Sequence, residues 1–167
     1  EVDLGRLEYA IDRTNPNDVK ATVTAGDAKK VADLYCGAGT IGISFAKSRP
    51  EASVLGIEII PQAVENAKAN AALNGIKNAT FICADAMTFE IDDFDCVFID
   101  PPRKGMSPEL TEKIAKSNLK KLVYVSCDPT TLARDAKKLI EAGYEMGEVT
   151  PVDMFPRTGH VESVVCL

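Results

Sequence analysis

What this 167-residue chain lacks narrows its possible roles. It has a single histidine, and no Cys-x-x-Cys pair occurs among its five cysteines, so neither a zinc nor an iron–sulfur site finds a ligand set and no metal is expected. No apolar run approaches the roughly 20 residues that a membrane-crossing helix needs. The first residues, Glu1-Val2-Asp3-Leu4-Gly5, lack the basic start and apolar centre of a secretory signal, which points to a cytoplasmic location. Positive charge is also short: a formal net charge of -6 argues against a large sequence-independent nucleic-acid surface. There is no internal repeat, low-complexity tract or linker. What remains is a chain that is 46% hydrophobic, enough for one domain with a sizeable core and too short for two.

From Val31 onward, short apolar runs alternate with helical patterns, as in a doubly wound α/β sheet built from βαβ units. Strands are expected at about 31 to 35, 53 to 58, 79 to 83, 94 to 99, 121 to 126, 144 to 152 and 160 to 167. Helices are expected at about 40 to 48, 61 to 74, 108 to 118 and 129 to 142. The second helix is the clearest. Pro61 opens it, Ala63, Val64, Ala67, Ala71 and Leu73 recur at helical spacing, and Asn74-Gly75 ends it. Met154 to Gly159 is too short for a helical crossover, so the last two strands should form an antiparallel hairpin at one edge of a mostly parallel sheet. Residues 1–30 are more polar and read as a lead-in to a domain covering 31–167.

Gly37, Gly39 and Gly42 satisfy a G-x-G-x-x-G spacing between the first strand and the first helix. Missing side chains there let a ligand approach the backbone, and the helix N-terminus offers free amides. Either a dinucleotide pyrophosphate or the amino-acid end of S-adenosylmethionine suits such a turn. An acid at the end of the second strand, here Glu58, can accept from ribose hydroxyls in both cases. Asp33 is either part of the loop's hydrogen-bonding frame or the polar end of a strand. With the usual strand order 3-2-1-4-5, Asp100 falls across the crevice from the glycine loop, where Pro101-Pro102 stiffen the chain behind it. A fixed carboxylate there suits hydrogen bonding to a polar heterocycle or to the cofactor, and does not suit a dinucleotide phosphate. Arg103-Lys104 adds local positive charge, suited to a nucleic-acid phosphate or to plain solvation.

Ser126-Cys127-Asp128 precedes Pro129 where an apolar run gives way to a helix. Negative charge on sulfur is favoured at a helix N-terminus, and Asp128, the expected N-cap, partly offsets that pull. Cys83, Cys96 and Cys166 sit inside apolar strand-like runs and read as small buried side chains.

Four segments occur in order: Asp33-Leu34-Tyr35-Cys36-Gly37-Ala38-Gly39-Thr40, Asp100-Pro101-Pro102-Arg103-Lys104-Gly105, Val125-Ser126-Cys127-Asp128-Pro129-Thr130-Thr131-Leu132-Ala133-Arg134-Asp135, and Met154-Phe155-Pro156-Arg157-Thr158-Gly159-His160-Val161-Glu162. With them the chain resembles, from about Val31 to the C-terminus, the catalytic domain of the RNA uracil-5-methyltransferase family. The resemblance implies a class I, Rossmann-like methyltransferase fold with S-adenosylmethionine as cofactor. It implies Cys127 as nucleophile and Glu162 as base, with His160 an orienting neighbour. It also places Tyr35, Thr40, Glu58, Asp85 and Asp100 at the cofactor, Asp85 toward the adenine, and the backbone of Gly37 and Gly39 beside the methionine part. The substrate implied is a uridine in transfer or ribosomal RNA.

That family carries an OB-type RNA-binding domain and a central region ahead of the catalytic domain, and residues 1–30 hold neither. Its Phe-Gln-x-Asn stretch is matched only by Arg13-Thr14-Asn15-Pro16, with arginine in place of the cofactor-touching glutamine, which implies weaker cofactor binding. Three other readings stay open on the residues alone. An amino-methyltransferase shares Asp-Pro-Pro but usually follows it with an aromatic residue where Arg103 stands. A cofactor-binding module without turnover needs only the glycine loop and acids. A nicotinamide dehydrogenase needs only the glycine spacing.

Overall fold

The computed structural model describes residues 25–153, 157 and 161–167. Seven strands form one sheet: β1 (Lys30–Leu34), β2 (Ser53–Glu58), β3 (Ala79–Cys83), β4 (Cys96–Ile99), β5 (Leu122–Ser126), β6 (Thr150–Val152) and β7 (Glu162–Cys166). The helices between them are α1 (Thr40–Ser48), α2 (Pro61–Leu73), α3 (Pro108–Lys116) and α4 (Pro129–Glu141). Strand order is β3-β2-β1-β4-β5-β7-β6. The first five strands pair in parallel, and β7 runs antiparallel to both β5 and β6.

Strand alternation distributes the core over both faces of the sheet. Val31, Cys96, Phe98, Val123, Val125 and Val164 pack with Phe45 and Ala46 of α1 on one face, where the Phe45 and Phe98 rings meet edge to face with centroids 5.4 Å apart. Ala32, Leu34, Val97, Ile99, Leu122 and Tyr124 pack on the other against Leu110 and Ile114 of α3 and Leu132, Ala136 and Leu139 of α4. Val64, Ala67 and Ala71 of α2 close a third cluster with Ile43 and Phe81. Each large side chain buried this way contributes about 1.5–3 kcal/mol. Helix starts follow the expected chemistry. Proline opens α2, α3 and α4, Ser107 caps α3, and Asp128 caps α4 by accepting from the Thr130 and Thr131 amides.

The last two strands form the expected antiparallel hairpin at one edge, with β7 beside β5 and the short β6 outermost. Two expectations need correction. The strand expected over 144–152 is confined to Thr150–Val152, and Gly147 N–H donating to Cys166 C=O at 2.8 Å is the contact that reaches back from it. A glycine with no side chain to pack weakens a strand at that point. Second, Cys83 is exposed and Cys166 only half-buried, because Cys83 ends the outer strand β3; Cys96, in the central β4, is buried as expected. Two 3-10 turns, Ala86–Thr88 and Ile91–Asp93, connect β3 to β4. Arg13-Thr14-Asn15-Pro16, His160 and, apart from Arg157, the Met154 to Gly159 connection lie outside the described residues. Among the described residues no helix is long and apolar enough to cross a membrane.

Candidate active site

The carboxyl ends of the parallel strands meet where the strand order reverses, between β1 and β4, and open α/β sheets bind ligands in that crevice. Leu34 pairs with Ile99, and Asp100 N–H donates to Leu34 C=O, so Tyr35 and Asp100 leave the sheet side by side. Tyr35 takes a left-handed backbone, φ 59°, strained for a non-glycine residue, and turns the chain into the glycine loop. Gly39, φ 82°, is the N-cap of α1 and offers no side chain to its amides. The expected frame around this loop is present. Asp33 Oδ2 accepts from Gly42 N–H at 2.9 Å, and Glu58 accepts from Gly37 N–H at 3.1 Å and Ile60 N–H at 3.0 Å. Glu58 is therefore a brace between β2 and the loop, with carboxylate lone pairs left for a ligand.

The acids of the crevice act on one another. Asp33 is buried, its Oδ1 has no hydrogen-bond partner, and its carboxyl is pushed up to about 7, chiefly by burial and further by the charges of Asp100 and Glu58 against the opposing Gly42 hydrogen bond. Asp100 reaches solvent at its tip, yet the protein crowded around it strips away enough water to push it up to about 6, with the negative charge of Glu162 adding to the effect. Tyr35 is raised by burial and then by Asp85, which fixes the start of the 3-10 turn by accepting from Met87 N–H at 2.9 Å and remains exposed. A crevice that gathers this many acids suits a ligand that brings positive charge.

Cys127 and Glu162 enter from the other side. The β5–β7 ladder pairs Val125 with Val164 and Ser126 with Ser163, so Cys127, just after β5, and Glu162, the first residue of β7, lie at the same end of the sheet. Both are half-buried. Ser126 Oγ accepts from Asp128 N–H at 3.1 Å and donates to Asp128 C=O at 2.9 Å, which closes the turn around Cys127. The other thiol near the glycine loop, Cys36, is buried, and burial, reinforced by Asp33, pushes it far up and keeps it protonated.

The carboxyl edge of the sheet thus gathers Tyr35, Gly37, Gly39, Thr40, Glu58, Asp85, Asp100, Cys127 and Glu162. Two supports were not foreseen. Asn70 donates to Ala38 C=O at 3.0 Å beneath the glycine loop, and Asp135 holds the loop after Asp100. A polar residue inside the apolar stripe of its helix was the available signal for each.

A sheet of this order, with a glycine loop leading into α1 and an antiparallel β7 beside β5, is the class I, Rossmann-like methyltransferase fold. Residues 25–157 match the family model described as a methyltransferase domain, and the chain belongs to that family. An uncharacterized RNA methyltransferase of Clostridium acetobutylicum is 49% identical over 82% of this chain and 31% of its own length. Another from Bacillus cereus is 47% identical over 98% of this chain and 39% of its own. The chain spans about a third of the length of these curated relatives. Among solved structures, the Pyrococcus abyssi tRNA (uracil-54, C5)-methyltransferase in complex with S-adenosyl-L-homocysteine superposes with a TM-score of 0.83 at 36% identity, covering 92% of this chain and 37% of that one.

Proposed function

We propose that residues 31–167 form a catalytic domain that transfers a methyl group from S-adenosylmethionine to C5 of a uridine in RNA through a covalent Cys127 adduct. The observation that supports this reading is the β5–β7 register, which brings Cys127 and Glu162 to one end of the sheet, with Glu162 close enough to Asp100 for its charge to be felt there. The likeness to RNA methyltransferases, one of them a tRNA uracil-C5 enzyme, supports the substrate class.

S-adenosylmethionine fits the crevice on independent grounds. Asp33 Oδ1 is a buried oxygen without a partner, α1 starts without a side-chain cap, and Asp33 and Asp100 are both raised, chiefly by burial and further by neighbouring carboxylates. Gly37, Gly39 and Thr40 would take its amino-acid end, Glu58 its ribose, Asp85 and Tyr35 its adenine side, and Asp100 the part nearest the reacting base. When bound, it supplies an electrophilic methyl group on a sulfonium.

The protein's own groups do the rest. C5 of uracil is a poor nucleophile until the ring is activated. The Cys127 sulfur forms a bond to C6, and the displaced electron pair gathers as an enolate that makes C5 nucleophilic. Once C5 carries the methyl group it still holds its proton. Glu162 removes that proton, the electron pair restores the C5–C6 double bond, and Cys127 leaves as thiolate. Uridine loses one hydrogen and gains one methyl, with no redox partner.

The test is incubation of the chain with S-adenosylmethionine and RNA containing 5-fluorouridine, followed by mass spectrometry under denaturing conditions. Fluorine cannot leave as the proton does, so a methylated adduct on the Cys127 peptide is expected. Adduct formation by Cys127→Ser would move the chemistry to Cys36. Methylation of an exocyclic amine without any adduct would make the domain an amino-methyltransferase.

A further inference from the structure

Helix α4 serves two parts of the crevice at once. Its N-terminus carries Cys127 and the Asp128 cap, while its first two turns hold the loop that leaves Asp100. Thr131 Oγ1 donates to Arg103 C=O at 3.2 Å. Arg134 Nη2 donates to Lys104 C=O at 2.9 Å and to Met106 C=O at 3.3 Å. Asp135 Oδ2 accepts from Met106 N–H at 2.8 Å. Residue after residue, the segment from Arg103 to Met106 is tied to this one helix.

The clamp is built tightly. Asp135 is 1% exposed, so its charge needs partners. It finds them in the Tyr124 hydroxyl at 2.8 Å, from β5, and in Arg134 Nε at 2.8 Å. Gly105 has φ +77°, and a Cβ there would stand 2.5 Å from Arg134 Nη2 and 2.6 Å from Asp135 Oδ2. The loop backbone is pressed directly onto the ion pair, with no side chain between them. Asp135 is buried while Arg134 keeps 49% of its side chain exposed, and an ion pair with a buried member is a weak device for stability, better suited to fixing one arrangement. What this one fixes is the offset between the loop that presents Asp100 and the helix that presents Cys127.

We infer that Arg134 and Asp135 are positioning residues of the site, holding the loop after Asp100 at a set distance from Cys127 so that cofactor and nucleophile sides stay in register. The inference rests on the reading of Asp100 as a cofactor contact given above. Neither residue touches the reacting atoms; both act through the backbone of Arg103–Met106.

The test uses the whole chain, with S-adenosylhomocysteine titrated by calorimetry and amide hydrogen exchange read at single-residue resolution. Arg134→Ala is expected to weaken S-adenosylhomocysteine binding at least fivefold. It should speed exchange at Lys104–Met106 at least tenfold, and leave Gly42 and Ile43 in α1 unchanged. Arg134→Lys should recover only part of the affinity, because an ammonium cannot fork between two carbonyls and a carboxylate. Lys137→Ala, on the exposed side of the same helix, is the control and should change neither readout. If Arg134→Ala fails to fold, Tyr124→Phe carries the same test by removing one hydroxyl from Asp135. Faster loop exchange with unchanged affinity would reduce the clamp to a structural one and overturn the inference, as would no change in either. A wild-type chain that does not bind S-adenosylhomocysteine would instead sink the functional reading, and this inference with it.

Discussion

Cys127 directly follows Ser126 and Glu162 directly precedes Ser163, the last pair of the β5–β7 ladder, so two residues distant in sequence leave the sheet at the same end. The antiparallel direction of β7 is what makes this happen. A parallel strand in that place would end at the crevice and begin at the opposite edge of the sheet. Because β7 runs the other way, its first residue arrives at the carboxyl ends of β1, β4 and β5, beside the helix that Cys127 precedes.

The two residues should fail differently when altered. Cys127→Ala removes the step that activates C5, so neither adduct nor product should form. Glu162→Gln leaves that step intact and removes only the base that ends it. With ordinary uridine this variant should accumulate a methylated adduct on Cys127 and release product about 10²–10⁴-fold more slowly. Quench-flow followed by denaturing mass spectrometry distinguishes the two. A Glu162→Gln variant with no adduct at all would show that this carboxylate acts before bond formation.

Asp33 makes a prediction about stability. Its folded pKa, about 7, lies above its unfolded value near 3.8, so the folded state holds the extra proton between those limits. Stability from this group is fully present below pH 4 and is lost as pH rises through 7. About three units at 1.36 kcal/mol each bound the loss at roughly 4 kcal/mol. Asp33→Asn keeps an acceptor for Gly42 N–H and carries no charge, though its amide takes over an unpartnered site. Above pH 8 it should be about 2 kcal/mol more stable than the wild type, and the advantage should fall through zero and reverse toward pH 4, where only the amide's cost of about 2 kcal/mol remains. Urea unfolding at several pH values checks this, and an advantage of the variant that grew toward low pH would refute it.

Most of the scaffold was legible because its cues were local. Pro61 and Asn74-Gly75 bracket α2 to within a residue, and Asp128 caps α4 as its position before Pro129 implies. Alternating runs point to a doubly wound sheet, and the usual order of such sheets, adopted on that ground, is the observed β3-β2-β1-β4-β5, which brings Asp100 to the glycine loop. Cues that depend on partners were not legible. Tyr144 to Val149 is expected as strand, but Tyr144 N–H is spent on Leu139 C=O of the preceding helix and, within this segment, Gly147 alone donates to β7, so β6 starts only at Thr150. Cys83 sits in an apolar run on an outer strand, so the run does not bury it. The left-handed backbone of Tyr35 has no glycine to announce it. Asp135 stands in the apolar stripe of its helix, a signal of burial, but its partners Tyr124 and Met106 appear only in the fold.

Cofactor binding should release protons. S-adenosylmethionine brings an ammonium and a sulfonium to carboxyls whose pKa values stand at about 7 for Asp33 and about 6 for Asp100. A cation favours the ionised form of each, so binding competes with protonation. Affinity should climb steeply below pH 6, more gently to pH 7, and level off above pH 8. Calorimetry in buffers of different ionisation enthalpy reads the proton release directly. An affinity that stayed flat from pH 5.5 to 8 would mean that neither acid meets the positive charge.

The glycine loop separates packing from support. Gly39 holds φ +82°, and a Cβ there would lie 2.8 Å from Phe81 Cε1 and 3.1 Å from Ala67 Cβ. Gly39→Ala meets both a left-handed backbone, costing about 1–2 kcal/mol, and an overfilled contact of about 1–3 kcal/mol. A loss of roughly 3 kcal/mol should lower Tm by about 6–12 °C in a domain of this size. Asn70→Ala touches the same loop from below, removing the donor to Ala38 C=O without adding volume. It should cost only about 1 kcal/mol, yet weaken S-adenosylhomocysteine binding severalfold because the loop loses its floor. Thermal unfolding and calorimetry on the two variants decide the matter. Should Asn70→Ala bind as tightly as the wild type, the loop is held by Asp33 and Glu58 alone.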